Sequence, residues 1–185
     1  MRGRQIPNLI TGTRFLLVPL MVWLLLKGRF TPALGVFALM GASDALDGYL
    51  AKRYGWQTNL GKFMDPLADK TMLISAYVTL GWLGLIPIWL VILVILRDVI
   101  ILGGAVAYHV LTRHLNMVPS LLSKLNTVAQ IILVLAVIFD QLVGLPSLLL
   151  QILIGLTLVT TITSGLGYVI DWSSRARKEL QKDVE

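Results

Sequence analysis

Six long apolar runs occupy most of this chain of 185 residues and decide what it can fold into. Each is near or above the ~20 residues that an α-helix needs to cross the hydrocarbon core of a bilayer. Charged residues make up only 14% of the chain, against roughly 25% in soluble domains. We therefore predict a single all-α integral membrane domain, residues 1–185, with six transmembrane helices. The runs cover residues 7–26, 32–51, 66–83, 86–111, 118–139 and 146–171.

Basic residues are distributed unequally between the two sides of such a six-span chain. Ten fall at the termini and in the loops after the second and fourth runs, and only Lys27 and Arg29 fall on the opposite side. Because loops rich in lysine and arginine stay in the cytoplasm, both termini are predicted to be cytoplasmic. This topology and contact with anionic lipids account for the net charge of +6. A nucleic-acid partner is not expected, since the basic residues form no continuous stripe.

Four aspartates lie at the ends of the second and third runs. Asp44 and Asp47 are three residues apart and Asp65 and Asp69 are four apart, so on helices each pair shares one face. Carboxylates beside apolar segments are costly and are kept for function or for pairing with cations. If the two helices form a hairpin, the four carboxylates converge, and such hard oxygen ligands suit Mg²⁺, Mn²⁺ or Ca²⁺. The alternative is a set of helix-capping aspartates paired with nearby lysines and arginines.

The pattern D44-x-x-D47-G48-x-x-A51-K52-x8-G61-x3-D65-x3-D69 resembles the signature of the CDP-alcohol phosphatidyltransferase family. The segment from Pro7 to Arg14 is similar to the opening segment of that family. The resemblance implies a six-helix membrane enzyme of phospholipid biosynthesis. It also implies two divalent cations per active site, Mg²⁺ or Mn²⁺, and a homodimer.

The resemblance assigns roles to individual residues. Asp44, Asp47, Asp65 and Asp69 are expected to bind metal, with Asp69 also acting as the catalytic base. At position 52 the family usually has arginine, and the lysine found here cannot form the two-pronged contact with a phosphate that arginine forms. The two glycines remove side chains where a nucleotide approaches the backbone. The expected contacts to the CDP-lipid are Asn8, Thr11, Gly48, Lys52 and Gly61.

Three further residues are predicted to bind the acceptor alcohol: Arg97, Lys124 and Asn126. An arginine inside an apolar run needs an anionic partner, which is either the adjacent Asp98 or a phosphate of the acceptor. Lys124 either meets the acceptor or extends to the membrane surface. The sequence S-K-L-N-T at 123–127 is similar to the cardiolipin-forming branch of the family. The branch that uses glycerol 3-phosphate usually has a second lysine in place of Asn126.

We therefore expect transfer of a phosphatidyl group from CDP-diacylglycerol to phosphatidylglycerol, giving cardiolipin and CMP. The expected location is a bacterial inner membrane, with an active site that faces the cytoplasm. One alternative is transfer to glycerol 3-phosphate, giving phosphatidylglycerophosphate. The other is a divalent-cation transporter, which would need acidic residues along a path through the membrane and not at one hairpin.

The predicted topology can be tested by cysteine labelling, because the chain contains no cysteine of its own. A membrane-impermeant thiol reagent should modify Asn59→Cys only from the cytoplasmic side and Arg29→Cys only from the other side. The expectation follows from the unequal distribution of basic residues. Labelling with the sides exchanged would place the four aspartates at the opposite face.

Overall fold

The computed structural model describes residues 6–54, 59–112 and 121–182, with side chains described for Thr13, 16–43, 69–104 and 121–168. The described part of the chain is all-α and contains no strand, as the sequence predicted. The helices are α1 (Ile6–Leu26), α2 (Phe30–Tyr54), α3 (Asn59–Trp82), α4 (Ile88–Thr112), α5 (Leu121–Val143) and α6 (Ser147–Lys182).

The helices extend beyond the apolar runs at several ends. Helix α2 continues to Tyr54, beyond the second run, and α3 begins at Asn59, seven residues before the third run. The 36 residues of α6 correspond to about 54 Å at 1.5 Å per residue, which exceeds the ~30 Å hydrocarbon thickness. Hydropathy shows where a bilayer accepts a helix, whereas backbone hydrogen bonding continues through polar sequence, and this explains the difference.

The chain divides into two compact units. The first comprises Met1–Pro87 and Val134–Pro146, and in it α1 packs against both α2 and α3. The second comprises Ile88–Leu133 and Ser147–Glu185, and in it α4 packs against α6. Helix α5 contributes its first part to the second unit and its last part to the first.

The predicted break between the third and fourth runs is confirmed at Gly84. The Gly84 N–H donates to the Gly81 carbonyl at 3.0 Å, and the Leu85 N–H donates to the Leu80 carbonyl at 2.9 Å. Gly84 has φ +73°, a left-handed conformation that residues with a Cβ atom adopt only with strain. These bonds satisfy the last carbonyls of α3 before α4 begins.

The turn between α5 and α6 uses a side chain as well as a glycine. The Gly144 N–H donates to the Asp140 carbonyl at 2.9 Å, with Gly144 at φ +70°. One carboxylate oxygen of Asp140 accepts the Leu145 N–H at 2.7 Å. Asp140 therefore closes a helix end, and its role is accounted for by the turn.

Each helix of the first unit carries one stripe of buried side chains at spacings of three and four residues. Such a stripe is the seam along which one helix packs against another. Within a bilayer, close packing of this kind holds helices together, because lipid chains are as apolar as the side chains. The stripes comprise Val18, Met21 and Leu25 in α1, Ala33, Phe37 and Met40 in α2, and Met72, Ala76 and Thr79 in α3.

Two helices in the described part of the chain have the length and composition to cross a bilayer. They are Leu121–Val143 in α5 and Ser147–Tyr168 in α6, with mean hydropathy of 2.0 and 1.8. Both expose many large apolar side chains, such as Leu125, Val128 and Leu156. The other four spans stay predictions.

Candidate functional site

The aspartates of the signature continue the buried stripes of α2 and α3. In α2 the stripe runs through positions 33, 37 and 40, and the same spacing of four and three reaches 44 and 47. In α3 it runs back from 79 through 76 and 72 to 69 and 65. This spacing predicts that each pair of aspartates shares the helix face that carries the packing seam.

The side chain of Asp69 is described and is half-buried. It stands one turn before the fully packed part of α3, where Leu73 and Tyr77 are buried. The side chains of Asp44, Asp47 and Asp65 lie outside the described residues, although their positions in α2 and α3 are given. Asp69 is thus placed at the edge of a packed helix surface, where a carboxylate needs a cationic or hydrogen-bonding partner.

The stripe of α1 leads to the opening segment of the signature in the same way. Continued backward from Val18 at spacings of four and three, it reaches positions 14 and 11, and Asn8 lies three residues earlier. The remaining residues expected to contact the CDP-lipid are Gly48 and Lys52 in α2 and Gly61 in α3. Their side-chain environments, like those of Asn8 and Thr11, lie outside the described residues.

Chain connectivity brings these segments to one end of the first unit. Helices α1 and α2 pack together across the short turn 27–29, so the start of α1 and the end of α2 lie at the same end. Tyr54 and Asn59 are five residues apart, and that length of chain spans at most about 18 Å. The end of α2 and the start of α3 are therefore close, and all four aspartates fall on these two helix segments.

Four carboxylates in the second half of α2 and the first half of α3 form a donor set that fits hard divalent cations. Among the residues whose side chains are described, no three acidic or histidine side chains come together as a metal site. Three of the four predicted ligands fall outside that set, so the predicted metal site stays a prediction. Its fit rests on donor chemistry and helix register.

A second polar cluster lies in the other unit and centres on Arg97 of α4, which is buried. Its Nη1 donates to Asp98 at 2.6 Å. Its Nη2 donates to the hydroxyls of Ser123 in α5, at 2.7 Å, and Ser164 in α6, at 2.6 Å. One guanidinium therefore links three helices, and the ion-pair alternative for Arg97 is realised in the structure. Its Nε is buried and makes no hydrogen bond within the described residues.

Asn126 of α5 lies in the same unit and is fully buried. Its Oδ1 accepts hydrogen bonds from Thr161 at 2.9 Å and Thr160 at 3.1 Å, both in α6. Lys124, in contrast, is exposed. The structure therefore places Arg97 and Asn126 in one buried polar region between helices and leaves Lys124 outside it.

The partners of Arg97 and Asn126 on α6 were not identified from the sequence. These partners share a sequence pattern by which they could have been identified. Hydroxyl side chains recur along one face of an otherwise apolar helix, at i, i+3, i+4 and i+7. All but the half-buried Thr160 are buried in the structure. This hydroxyl stripe of α6 comprises Thr157, Thr160, Thr161 and Ser164.

Comparison with known proteins identifies one family for this chain, by a family model and by individual relatives. A family model described as CDP-alcohol phosphatidyltransferase matches residues 4–163. "Cardiolipin synthase (CMP-forming)" of Rattus norvegicus is 38% identical over 180 residues, which cover 88% of this chain and 60% of the rat protein. The protein of that name from Homo sapiens is 37% identical, with the same coverage. This chain thus spans about three fifths of the length of these relatives.

A relative that is named for a different activity is also similar to this chain. "CDP-diacylglycerol--glycerol-3-phosphate 3-phosphatidyltransferase" of Bacillus subtilis is 34% identical over 154 residues. The match covers 75% of this chain and 78% of that protein. The relatives therefore include both cardiolipin synthases and a transferase that acts on glycerol 3-phosphate.

The Arg97 cluster predicts a large stability effect of a single substitution. Arg97→Ala should lower the free energy of unfolding by about 3 kcal/mol, because it removes the buried ion pair with Asp98 and the hydrogen bonds to Ser123 and Ser164. The double variant Arg97→Ala/Asp98→Asn should regain part of that loss. Lys124→Ala, which removes an exposed cation, should change stability by less than about 0.5 kcal/mol.

The measurement is reversible unfolding of the purified chain in detergent micelles. Equal stability losses for Arg97→Ala and Lys124→Ala would contradict the assignment of Arg97 as the link between α4, α5 and α6.

Proposed function

This chain belongs to the CDP-alcohol phosphatidyltransferase family, and we propose that it transfers a phosphatidyl group from CDP-diacylglycerol to phosphatidylglycerol. The acceptor hydroxyl oxygen forms a new bond to the lipid-bearing phosphorus, and the bond from that phosphorus to CMP breaks. The products are cardiolipin and CMP. The alternative within the family uses glycerol 3-phosphate as the acceptor.

The observation that carries the proposal is the register of the four aspartates on the packing faces of α2 and α3. A carboxylate at the edge of a helix seam destabilises packing unless a cation compensates it. Four of them on two helices joined by a short connection require either several basic side chains or metal ions. Together with the signature spacing and the family match, this register favours a metal site over a set of helix caps.

The residues that would hold two divalent cations, Mg²⁺ or Mn²⁺, are Asp44, Asp47, Asp65 and Asp69. Bound there, such ions would neutralise the pyrophosphate of CDP-diacylglycerol and favour departure of CMP. The protein groups that would meet the nucleotide are the backbone at Gly48 and Gly61, and Lys52. On α1, Asn8 and Thr11 would complete the contacts to the CDP-lipid.

Asp69 is the residue that we propose as the general base. It would accept the proton of the acceptor hydroxyl as the oxygen attacks phosphorus, a role for a positioned carboxylate. It stands beside the packed surface of α3, so its position is set by the neighbouring turn of the helix. An amide in its place could still contact a cation weakly but could not take the proton.

The choice of phosphatidylglycerol as acceptor rests on the second cluster and on the relatives. Arg97 is paired with Asp98, so the described part of that cluster has little net charge. Asn126 is a neutral amide, whereas a lysine at that position would add a cation. A phosphodiester carries one negative charge and a phosphomonoester up to two, so a cluster with few cations suits the phosphodiester better. The cardiolipin synthases among the relatives support the same choice.

The proposed setting is a bilayer crossed six times, with both termini in the cytoplasm. The distribution of basic residues supports this orientation, and α5 and α6 supply two spans with suitable composition. The proposed compartment is a bacterial inner membrane, with the active site facing the cytoplasm. A homodimer is proposed from the family resemblance.

The metal and the base can be tested together. Asp69→Asn should lower kcat by at least ~10²-fold, equivalent to about 2.7 kcal/mol of transition-state stabilisation, while CDP-diacylglycerol still binds. EDTA should abolish wild-type turnover, and Mg²⁺ or Mn²⁺ should restore it. Asp140→Asn is the matched control, because its amide oxygen can still accept the Leu145 N–H in a turn between helices.

The readout is release of CMP by the purified chain in mixed micelles. Wild-type turnover in excess chelator would contradict the metal proposal, and wild-type turnover by Asp69→Asn would place the base elsewhere.

The acceptor is decided by offering phosphatidylglycerol and glycerol 3-phosphate together and resolving the lipid products by mass. Wild type should make cardiolipin and use glycerol 3-phosphate poorly. Asn126→Lys should raise the use of glycerol 3-phosphate relative to wild type, since a charge-assisted phosphate contact contributes roughly 1.5–3 kcal/mol at best. Formation of phosphatidylglycerophosphate without cardiolipin would establish the alternative acceptor.

A further inference from the structure

We infer that Thr161, with Thr160, is a positioning residue that turns the carboxamide of Asn126 so that its Nδ2 is presented to a phosphodiester oxygen of the acceptor lipid. This rests on the proposed function in one respect, the identity of the acceptor. The orientation of the amide itself follows from the hydrogen bonds of α5 and α6.

The hydroxyl of Thr161 has one acceptor within the described residues, Oδ1 of Asn126 at 2.9 Å. If the amide were reversed, Nδ2 would face Thr161, and the hydroxyl hydrogen of that buried residue would have no acceptor there. Thr160 has alternatives, because its hydroxyl also lies 3.0 Å from the Leu156 carbonyl. Thr161 is therefore the residue that fixes the orientation, and Thr160 supports it.

Because Oδ1 of Asn126 accepts the hydrogen bonds from α6, the amide donor Nδ2 takes no part in that contact. Nδ2 of Asn126 is buried and makes no hydrogen bond in the described part of the chain. A buried amide donor without a partner destabilises a folded protein, and helix packing would favour an apolar side chain of the same size. The donor is instead suited to a ligand that supplies an oxygen.

Arg97 carries a second unused donor in the same unit. Nε of Arg97 is buried and without a hydrogen-bond partner among the described residues. Arg97 reaches Ser123 and Ser164, which precede Asn126 and follow Thr161 by three residues on α5 and α6. Arg97 and Asn126 thus each keep one free N–H donor, and their partners lie on adjacent turns of α6, while the charge of Arg97 is matched by Asp98.

Two N–H donors with little net charge match the two non-bridging oxygens of a singly charged phosphodiester. A phosphomonoester dianion would leave a second negative charge uncompensated in a buried region. The Thr161–Asn126 pair therefore contributes to selection between the two acceptor chemistries, by fixing a neutral donor where the alternative branch of the family places a cation.

The test compares Thr161→Val, which has nearly the same shape but no hydroxyl, with Thr161→Ser, which keeps the hydroxyl. In mixed micelles, Thr161→Val should raise KM for phosphatidylglycerol about tenfold and leave KM for CDP-diacylglycerol within about twofold of wild type. Thr161→Ser should behave as wild type. The control is Thr163→Val on the same helix, because Thr163 is exposed and bonds only to carbonyls of its own helix.

The effect of Thr161→Val on KM for phosphatidylglycerol should also disappear when Asn126 is replaced by alanine. In an Asn126→Ala background, Thr161→Val should cause no further rise in KM, as a residue acting through Asn126 requires. A readout without turnover is the rise in melting temperature when phosphatidylglycerol is added to phosphatidylcholine micelles. Wild type and Thr161→Ser should show this rise, and Thr161→Val should lose most of it.

The outcomes separate the inference from the proposed function. Equal behaviour of Thr161→Val and Thr161→Ser, or an undiminished effect in the Asn126→Ala background, would overturn the positioning role. A wild type that uses only glycerol 3-phosphate, with the Thr161→Val effect on that KM, would overturn the acceptor assignment and uphold the positioning. A wild type that neither turns over nor is stabilised by phosphatidylglycerol or glycerol 3-phosphate would overturn both.

Discussion

The packing seams of α2 and α3 continue without a change of register into positions occupied by aspartates. The seam formed by Ala33, Phe37 and Met40 holds helices together by close contact, and a carboxylate at the next position along it would oppose that contact. Bound cations would reconcile the two, because one ion contacts several carboxylates at once and links the helices that carry them. On this account the ions would both assemble the site and serve the transfer reaction.

The two units carry different kinds of polar cluster. In the first, the predicted ligands are acidic and lie in the adjoining halves of α2 and α3. In the second, hydroxyls and amides lie between helices around one paired arginine, and most of their hydrogen-bonding capacity is used internally. The donors of Arg97 and Asn126 that make no hydrogen bond within the described residues are Nε and Nδ2. This division agrees with a reaction that needs strong charge neutralisation for one substrate and selective recognition of the other.

The six helices and the positions of their turns could be predicted from hydropathy, glycine and proline. The start of α3 could not, because Asn59 and the polar residues after it continue a helix without adding to an apolar run. Arg97 and Asn126 stood out in the sequence as polar residues in apolar segments, and Asp98 as a possible partner of Arg97, but their partners on α6 did not. Ser123 and Ser164 are 41 residues apart in the chain, and only the packing of α4, α5 and α6 brings both to one guanidinium.

The aspartates of α2 and α3 are proposed to bind divalent cations. Counting the ions that bind to the chain tests this proposal directly, because no measurement of turnover is needed. Mn²⁺ can be titrated into the purified, metal-stripped chain while the signal of free Mn²⁺ is followed by electron paramagnetic resonance. The account predicts about two Mn²⁺ bound per chain in wild type and loss of binding in Asp47→Asn, since each ion needs several oxygen ligands. A chain that binds no Mn²⁺, or an Asp47→Asn variant that binds as much as wild type, would contradict it.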